Sequence, residues 1–465
     1  MVMEAGVTAP LFAAPSVVAD RAGRRADGSL LIRSTEPLAG YPVTVMHSVR
    51  AWAAADPAHP MVAERGAGGG SLDAISAVPA IVRSGARPGA ARLGELTATE
   101  PGPAVTAAFD AMDRDAIAKI LFTSGSTGAP KGVLNTHRML AANQQMIRQV
   151  WPFLRTERPV IVDWLPWSHT FGGNHDAAFA ARFFSRLRLM FNAAAALPAA
   201  LRQRLSEIAV QTVGHPIAVT GSWGATETAP AVTTAHFDFA DTRCVGVPLP
   251  GAQVKLVPAE GAHEIRVKGP MVTPGYFERP DLTAVAFDAE GFYRTGDAVG
   301  LADPDDLNAG LVFRGRIAED FKLDTGTFVR VGAVRTSLLS AAPILADAVI
   351  AGQERGSVCA LAWLNAAEAR KLLGEDPEPQ GELIISEPIR RELTRALASC
   401  NDDAGSSARI ERLLVMARPA GLDAGEITDK GYVNQRQVLA NRGALVELLY
   451  AQPVPAGVIV AERTA

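Results

Sequence analysis

The sequence predicts an α/β protein with two or more domains. Two observations carry this. At 465 residues the chain is long enough to bury more than one core. Short apolar runs of strand length, at 117–122, 159–165, 264–268, 311–316, 348–351 and 358–364, are interspersed with longer helical patterns at 137–150, 197–213, 386–400 and 435–450.

Composition narrows the function classes. An apolar content of 48% with 20% charged residues is that of a soluble globular protein. A net charge of −4 gives no electrostatic case for nucleic acid or an acidic membrane surface. Cys244, Cys359 and Cys400 are far apart and make neither a disulfide framework nor a metal spacing, which fits a reducing cytoplasm. Glu4, Pro10 and Pro15 make the amino terminus a poor signal peptide, and no apolar run is long enough to span a membrane.

Taken in order, residues 1–60 read as an extended lead-in with one helical pattern at 45–55. Residues 61–64 begin a strand-like run. Residues 66–110, rich in Ala, Gly and Pro, carry no structural expectation. The run 117–122 reads as a buried parallel strand. It enters Thr123-Ser124-Gly125-Ser126-Thr127-Gly128, then Pro130-Lys131-Gly132, and a helix follows from His137. Hydroxyls and glycines in that density leave backbone N–H groups free to turn inward as an anion nest, with Lys131 adding a point charge. The natural anion is a polyphosphate. The other common phosphate loop is absent, because Gly132 rather than Ser or Thr follows Lys131.

This string resembles the phosphate loop of AMP-forming acyl-CoA synthetases, members of the adenylate-forming superfamily. Further matches follow in the family's order. Residues 159–165 read as a buried strand leading into Pro166-Trp167-Ser168-His169-Thr170-Phe171-Gly172-Gly173, where the resemblance implies an acyl-substrate pocket bearing Trp167, His169 and Phe171. The small-residue turn at 192–196, with Ala194, stands where the family runs beside adenine. Pro198 opens the next helix, with Leu201, Leu205 and Ile208 on its apolar face. Gly221-Ser222-Trp223-Gly224-Ala225-Thr226-Glu227 resembles the family's Tyr-Gly-Met-Thr-Glu motif, with Ala225 in place of Met. There Trp223 would stack on adenine beside Gly224, Thr226 would donate to an acyl or phosphate oxygen, and Glu227 would bind Mg²⁺.

Tyr293-Arg294-Thr295-Gly296-Asp297 matches the motif whose Asp takes the ribose hydroxyls; an Asp in such a string is ordinarily a turn residue. Gly315-Arg316 matches the end of the family's large domain, with Arg316 on the nucleotide and Ala318 at the hinge position. Beyond it, Asp324-Thr325-Gly326-Thr327 reads as a turn between strands, Ser386 as the cap of a helix bearing Ile389, Leu393 and Leu397, and 435–450 as one last helix. Lys430, in Gly425-Glu426-Ile427-Thr428-Asp429-Lys430-Gly431, stands where the family carries its adenylation lysine.

The resemblance implies a large amino-terminal adenylate-forming domain over residues 1–317, with mixed β-sheets and flanking helices, and a small mobile α+β domain over 318–465. It implies ATP, Mg²⁺ and coenzyme A, and a small-molecule carboxylic acid as partner. The particular wording, including the stretches 121–146, 164–175 and 315–332, is most similar to feruloyl-CoA synthases, so the implied acid is hydroxycinnamate-like. Two other readings stand beside it: adenylation alone or transfer to a carrier protein, and a catalytically silent nucleotide-binding remnant. The chain also departs from its relatives, which carry longer segments in place of 66–110 and between His175 and Phe183. Apolar surface bared there would favour a homo-oligomer.

Overall fold

The computed structural model describes residues 12–55, 62–65, 72–75, 102–123, 131–155, 187–193, 199–239, 241–259, 262–402, 404–427 and 433–462. Its strands, in chain order, are β1 (Val17–Arg24), β2 (Leu30–Ser34), β3 (Val62–Arg65), β4 (Leu72–Ile75), β5 (Ile117–Thr123), β6 (Lys131–Thr136) and β7 (Leu189–Ala193). There follow β8 (Ala218–Gly224), β9 (Ala231–Thr234), β10 (Cys244–Pro248), β11 (Gln253–Ala259), β12 (Ala262–Lys268), β13 (Tyr293–Leu301) and β14 (Leu311–Arg316). The carboxy-terminal third holds β15 (Phe321–Lys322), β16 (Phe328–Val329), β17 (Leu345–Ala351), β18 (Val358–Leu364), β19 (Pro379–Gln380), β20 (Leu383–Ile384), β21 (Ile410–Val415) and β22 (Ile459–Val460).

Ten strands join in one sheet of order β1-β2-β11-β12-β13-β14-β10-β9-β8-β7. Its pairs are antiparallel except β7 with β8, so the sheet is mixed, as expected. A second mixed sheet, β17-β18-β21-β22, lies in the carboxy-terminal third. The apolar clusters follow the same division. One runs from Val17 to Leu311 over the large sheet, and two more cover the opposite faces of the second sheet. The α/β class read from the sequence is the class observed.

Several elements fall where local pattern places them. Helix His137–Val150 is capped by Thr136, whose Oγ1 accepts from the Met139 N–H at 3.3 Å. Helix Ala199–Val213 ends at the expected residue. The turn at 324–327 joins β15 to β16, and Ile389, Leu393 and Leu397 share the buried face of helix Glu387–Asn401.

Others are corrected. The run 117–122 is not a buried parallel strand. β5 pairs antiparallel with β6, and Ile117, Leu121 and Phe122 are exposed. A six-residue run of this kind has no way of encoding which partner it meets. The lead-in reading of 1–60 misses that β1 and β2 extend the large sheet through the pairing of β2 with β11. Residues 66–110 are not without regular structure: β4 pairs with β3, and Pro103–Asp110 is a helix opened by its proline. Asp297 lies within β13, not on a turn. Ser386 occupies the cap position of its helix without a side-chain hydrogen bond.

The last helix is two, Gln435–Asn441 and Gly443–Tyr450, broken at Arg442. The Arg442 guanidinium donates to both Glu426 oxygens, at 2.9 and 2.7 Å, and to the carbonyls of Arg418 and Pro419. The break also falls at Gly443, a residue that helix interiors disfavour.

Candidate functional site

Thr123 and Lys131 face each other as the last pair of the β5–β6 hairpin. The loop residues Ser124, Gly125, Ser126, Thr127 and Gly128 lie outside the described residues. So do Ala194, the pocket residues Trp167, His169 and Phe171, and Lys430. The strand that leaves the loop is firmly docked. Its Gly132 carbonyl accepts from Phe277 N–H at 2.7 Å, Leu134 N–H donates to the Gly275 carbonyl at 3.1 Å, and the Thr273 hydroxyl donates to the Leu134 carbonyl at 2.6 Å. This brings Lys131 Nζ to 5.5 Å from the centre of the Tyr276 ring.

Tyr276 connects that lysine to Glu227. Its hydroxyl donates to Glu227 Oε1 at 3.1 Å and lies 3.2 Å from the Tyr293 hydroxyl. Burial, reinforced by the Glu227 charge, pushes the Tyr276 phenol up to about 12, and the same causes raise Tyr293 further. Both remain neutral hydroxyls at physiological pH. Glu227 and both tyrosines are buried.

Glu227 rides on the short turn Thr226–Thr228, and the turn is built tightly. Thr228 Oγ1 accepts from Ala225 N–H at 2.8 Å and donates to the Pro230 carbonyl at 2.6 Å. The Glu227 carbonyl accepts from Thr273 N–H at 2.8 Å. Thr226 is half-buried beside it. A Cβ on Gly224 would stand 1.7 Å from the Pro230 carbonyl oxygen, so no other residue fits there.

A second cluster adjoins the first through the same two strands. Trp223 Nε1 donates to Asp297 Oδ2 at 2.9 Å, and both residues are buried. Asp297 pairs with Arg316 across β13 and β14, and Arg316 Nε lies 3.1 Å from Asp297 Oδ1. Arg316 is half-exposed, and is the face of this cluster that a solute meets. The structure therefore brings Trp223, Gly224, Thr226, Glu227, Asp297, Arg316, Lys131 and Thr123 onto three adjoining pieces of backbone. Tyr276, Tyr293 and Thr273 went unassigned in the sequence. Tyr293 lies in the string that ends at Asp297, but no spacing signals that two phenols will meet near one carboxylate.

Chemically, a guanidinium, an ammonium, two fixed hydroxyls and two carboxylates suit an anionic ligand that also carries hydroxyls. Among the described residues, no three His, Cys, Asp or Glu side chains gather as a metal cage. Glu227, a single buried carboxylate oriented by Tyr276, fits a magnesium ion that takes its other ligands from substrate phosphates and water.

The AMP-binding enzyme family model matches residues 71–181 and 172–277 of this chain. Residues 71–277 thus carry the pattern of AMP-binding enzymes, and CoA ligases are among the chain's relatives. A malonate–CoA ligase of Arabidopsis thaliana is 25% identical over 305 residues, which cover 50% of this chain and 48% of that protein. The chain spans about half the length of the curated relatives it matches. Among solved structures, an ATP-bound RpMatB–BxBclM chimera matches with a TM-score of 0.52 at 20% identity, over 76% of this chain and 73% of that one. The adenylation domain of the carboxylate reductase of Mycobacterium chelonae matches with a TM-score of 0.50 at 18% identity, over 73% and 60%. The fold is that of adenylation domains.

Proposed function

We propose that this chain activates a carboxylic acid with ATP and passes the acyl group to coenzyme A. The observation that carries the reading is the meeting of Trp223, Asp297 and Arg316 beside the turn that bears Glu227. In the first step an acid oxygen attacks the α-phosphorus and pyrophosphate leaves, giving acyl-adenylate. In the second the coenzyme A thiolate attacks the acyl carbon and AMP leaves. Chemistry of this kind needs positioning and charge neutralisation more than covalent help.

Each residue has a part in that reading. The loop from Thr123 to Gly128, with Lys131, holds the β- and γ-phosphates. Trp223 and Gly224 border the adenine with Ala194, and Asp297 and Arg316 take the ribose. Thr226 donates to an acyl or phosphate oxygen, and Lys430 lowers charge at the α-phosphate. A magnesium ion at Glu227, when bound, would neutralise phosphate charge. The acid is hydroxycinnamate-like, ferulate being the model compound, and sits against Trp167, His169 and Phe171. Support for that class is the wording of residues 164–175, in which aromatic side chains flank paired glycines. The three free thiols fit action in a reducing cytoplasm.

Acid-dependent exchange of pyrophosphate into ATP tests the reading. Ferulate should support exchange, and malonate and long aliphatic acids should not. Exchange with malonate alone would move the acid class toward that named for the relatives. Adenylate that forms but transfers only to a carrier protein would replace the acceptor. ATP binding without exchange for any acid would leave a silent nucleotide-binding protein.

A further inference from the structure

The place where the two sheets' territories join rests on a contact between two glycines. Strand β14 ends at Gly315-Arg316, and the helix Val331–Ala341 packs into the carboxy-terminal core. Gly315 has φ +114°, and a Cβ on Gly332 would stand 2.7 Å from the Gly315 Cα and 3.0 Å from the Arg314 carbonyl oxygen. The helix therefore seats backbone on backbone against the residue that precedes Arg316. Asp320 Oδ1 accepts from Val331 N–H at 3.0 Å, and Arg330 donates to the Ala259 carbonyl at 3.0 Å.

We infer that Gly332 is a positioning residue: its contact with Gly315 sets where the carboxy-terminal unit sits relative to the Asp297–Arg316 pair. For its catalytic consequence this rests on the acid-activation reading above. Adding a methyl group at Gly332 forces one side to give way. β14 is anchored by β10 at Leu311 and Val312 and by β13 along its length, with Asp297 facing Arg316 and Ala298 facing Gly315. The helix, tied at its first turn, is the side that moves. Arg316 then stays on Asp297, while everything borne by the carboxy-terminal unit is displaced from it.

Gly332→Ala tests this on the full chain, with Ala333→Gly as the neighbouring control. In a Cys400→Ser background, spin labels on Asp303→Cys and Glu375→Cys, exposed positions on either side of the joint, report the distance between units. The inference expects a resolved shift in that distance in Gly332→Ala and none in Ala333→Gly, with ATP affinity unchanged in both. It expects the rates of pyrophosphate exchange and thioester formation to part by about tenfold, within what an ångström of misplacement costs. An unchanged distance, or a loss of ATP affinity equal to the loss of both rates, overturns it. The distance is read whether or not any acid is activated, so a failure of the seat and a failure of the activity reading give different results.

Discussion

Strands β13 and β18 are each central in their sheets, yet they are built on opposite plans. β18 is apolar on both faces. Val358, Ala360 and Ala362 enter one core, Cys359, Leu361 and Trp363 the other, and none is more than 7% exposed. β13 is split along its length. Its first half, Tyr293 to Asp297, carries hydroxyls and a carboxylate into buried surroundings, and the next two residues, Ala298 and Val299, are fully buried. Polar groups that deep survive only because each is hydrogen-bonded, so the strand must be fixed before its chemistry can be. The first sheet exposes function at the cost of hydrogen-bond bookkeeping, whereas the second contributes packing.

The contrast can be broken from either side. The largest effect is expected in β18. Leu361→Ala leaves a cavity between the strand and its helices and should lower stability by about 3 kcal/mol in urea unfolding, with exchange per folded molecule intact. A loss below about 1 kcal/mol would mean that this sheet is not the packed half. In β13, Asp297→Asn keeps an oxygen for the Trp223 N–H but removes the charge facing Arg316. ATP affinity should fall about thirtyfold, the worth of a charged hydrogen bond, with a smaller change in melting temperature. Titration calorimetry separates the two effects.

A third test uses His236 in the first sheet's territory. Burial lowers its imidazole from the usual 6.5 to about 4, against the pull of the Thr234 carbonyl. The unfolded chain thus binds a proton between those values that the folded chain does not, so stability falls as pH drops from 6.5 toward 4. The loss should be on the order of 2 kcal/mol, and His236→Gln should remove it. A variant with the same acid slope as the parent would show that His236 is not the group responsible. The smallest effect is expected for Tyr276→Phe. Deleting one donor to Glu227 should cost about 1 kcal/mol of stability and raise the magnesium concentration needed for half-maximal exchange. An unaltered magnesium requirement would detach Tyr276 from Glu227's proposed role.

Features that were legible in the sequence share a property: their cause is local. Thr136 caps the helix that follows it, Thr325 and Gly326 turn a hairpin between neighbouring strands, and Ile389, Leu393 and Leu397 repeat at helical spacing. The order Trp223, Glu227, Asp297, Arg316 could be read as a series, and the structure brings those residues onto adjoining backbone. What could not be read depends on distant partners. Nothing near residue 120 says that β5 will turn back on β6 instead of entering a parallel sheet. Nothing near residue 442 says that its guanidinium will meet Glu426 and two distant carbonyls. The Tyr276–Tyr293 pair over Glu227 is of the same kind, with three sequence-distant polar groups joined by a shared burial.

The edge formed by β1 and β2 bears on how the chain is made. Arg33 pairs with Gln253, and Leu30 with Leu256, so β1 and β2, made long before β11, meet that neighbour only when β11 has emerged. Until then β1 and β2, with apolar Leu30 and Ile32, lack the β11 edge that covers them in the folded sheet. Such long-range pairing slows folding and leaves edges available to other nascent chains. Production of this protein should therefore be sensitive to translation speed and to chaperones that shield amino-terminal strands.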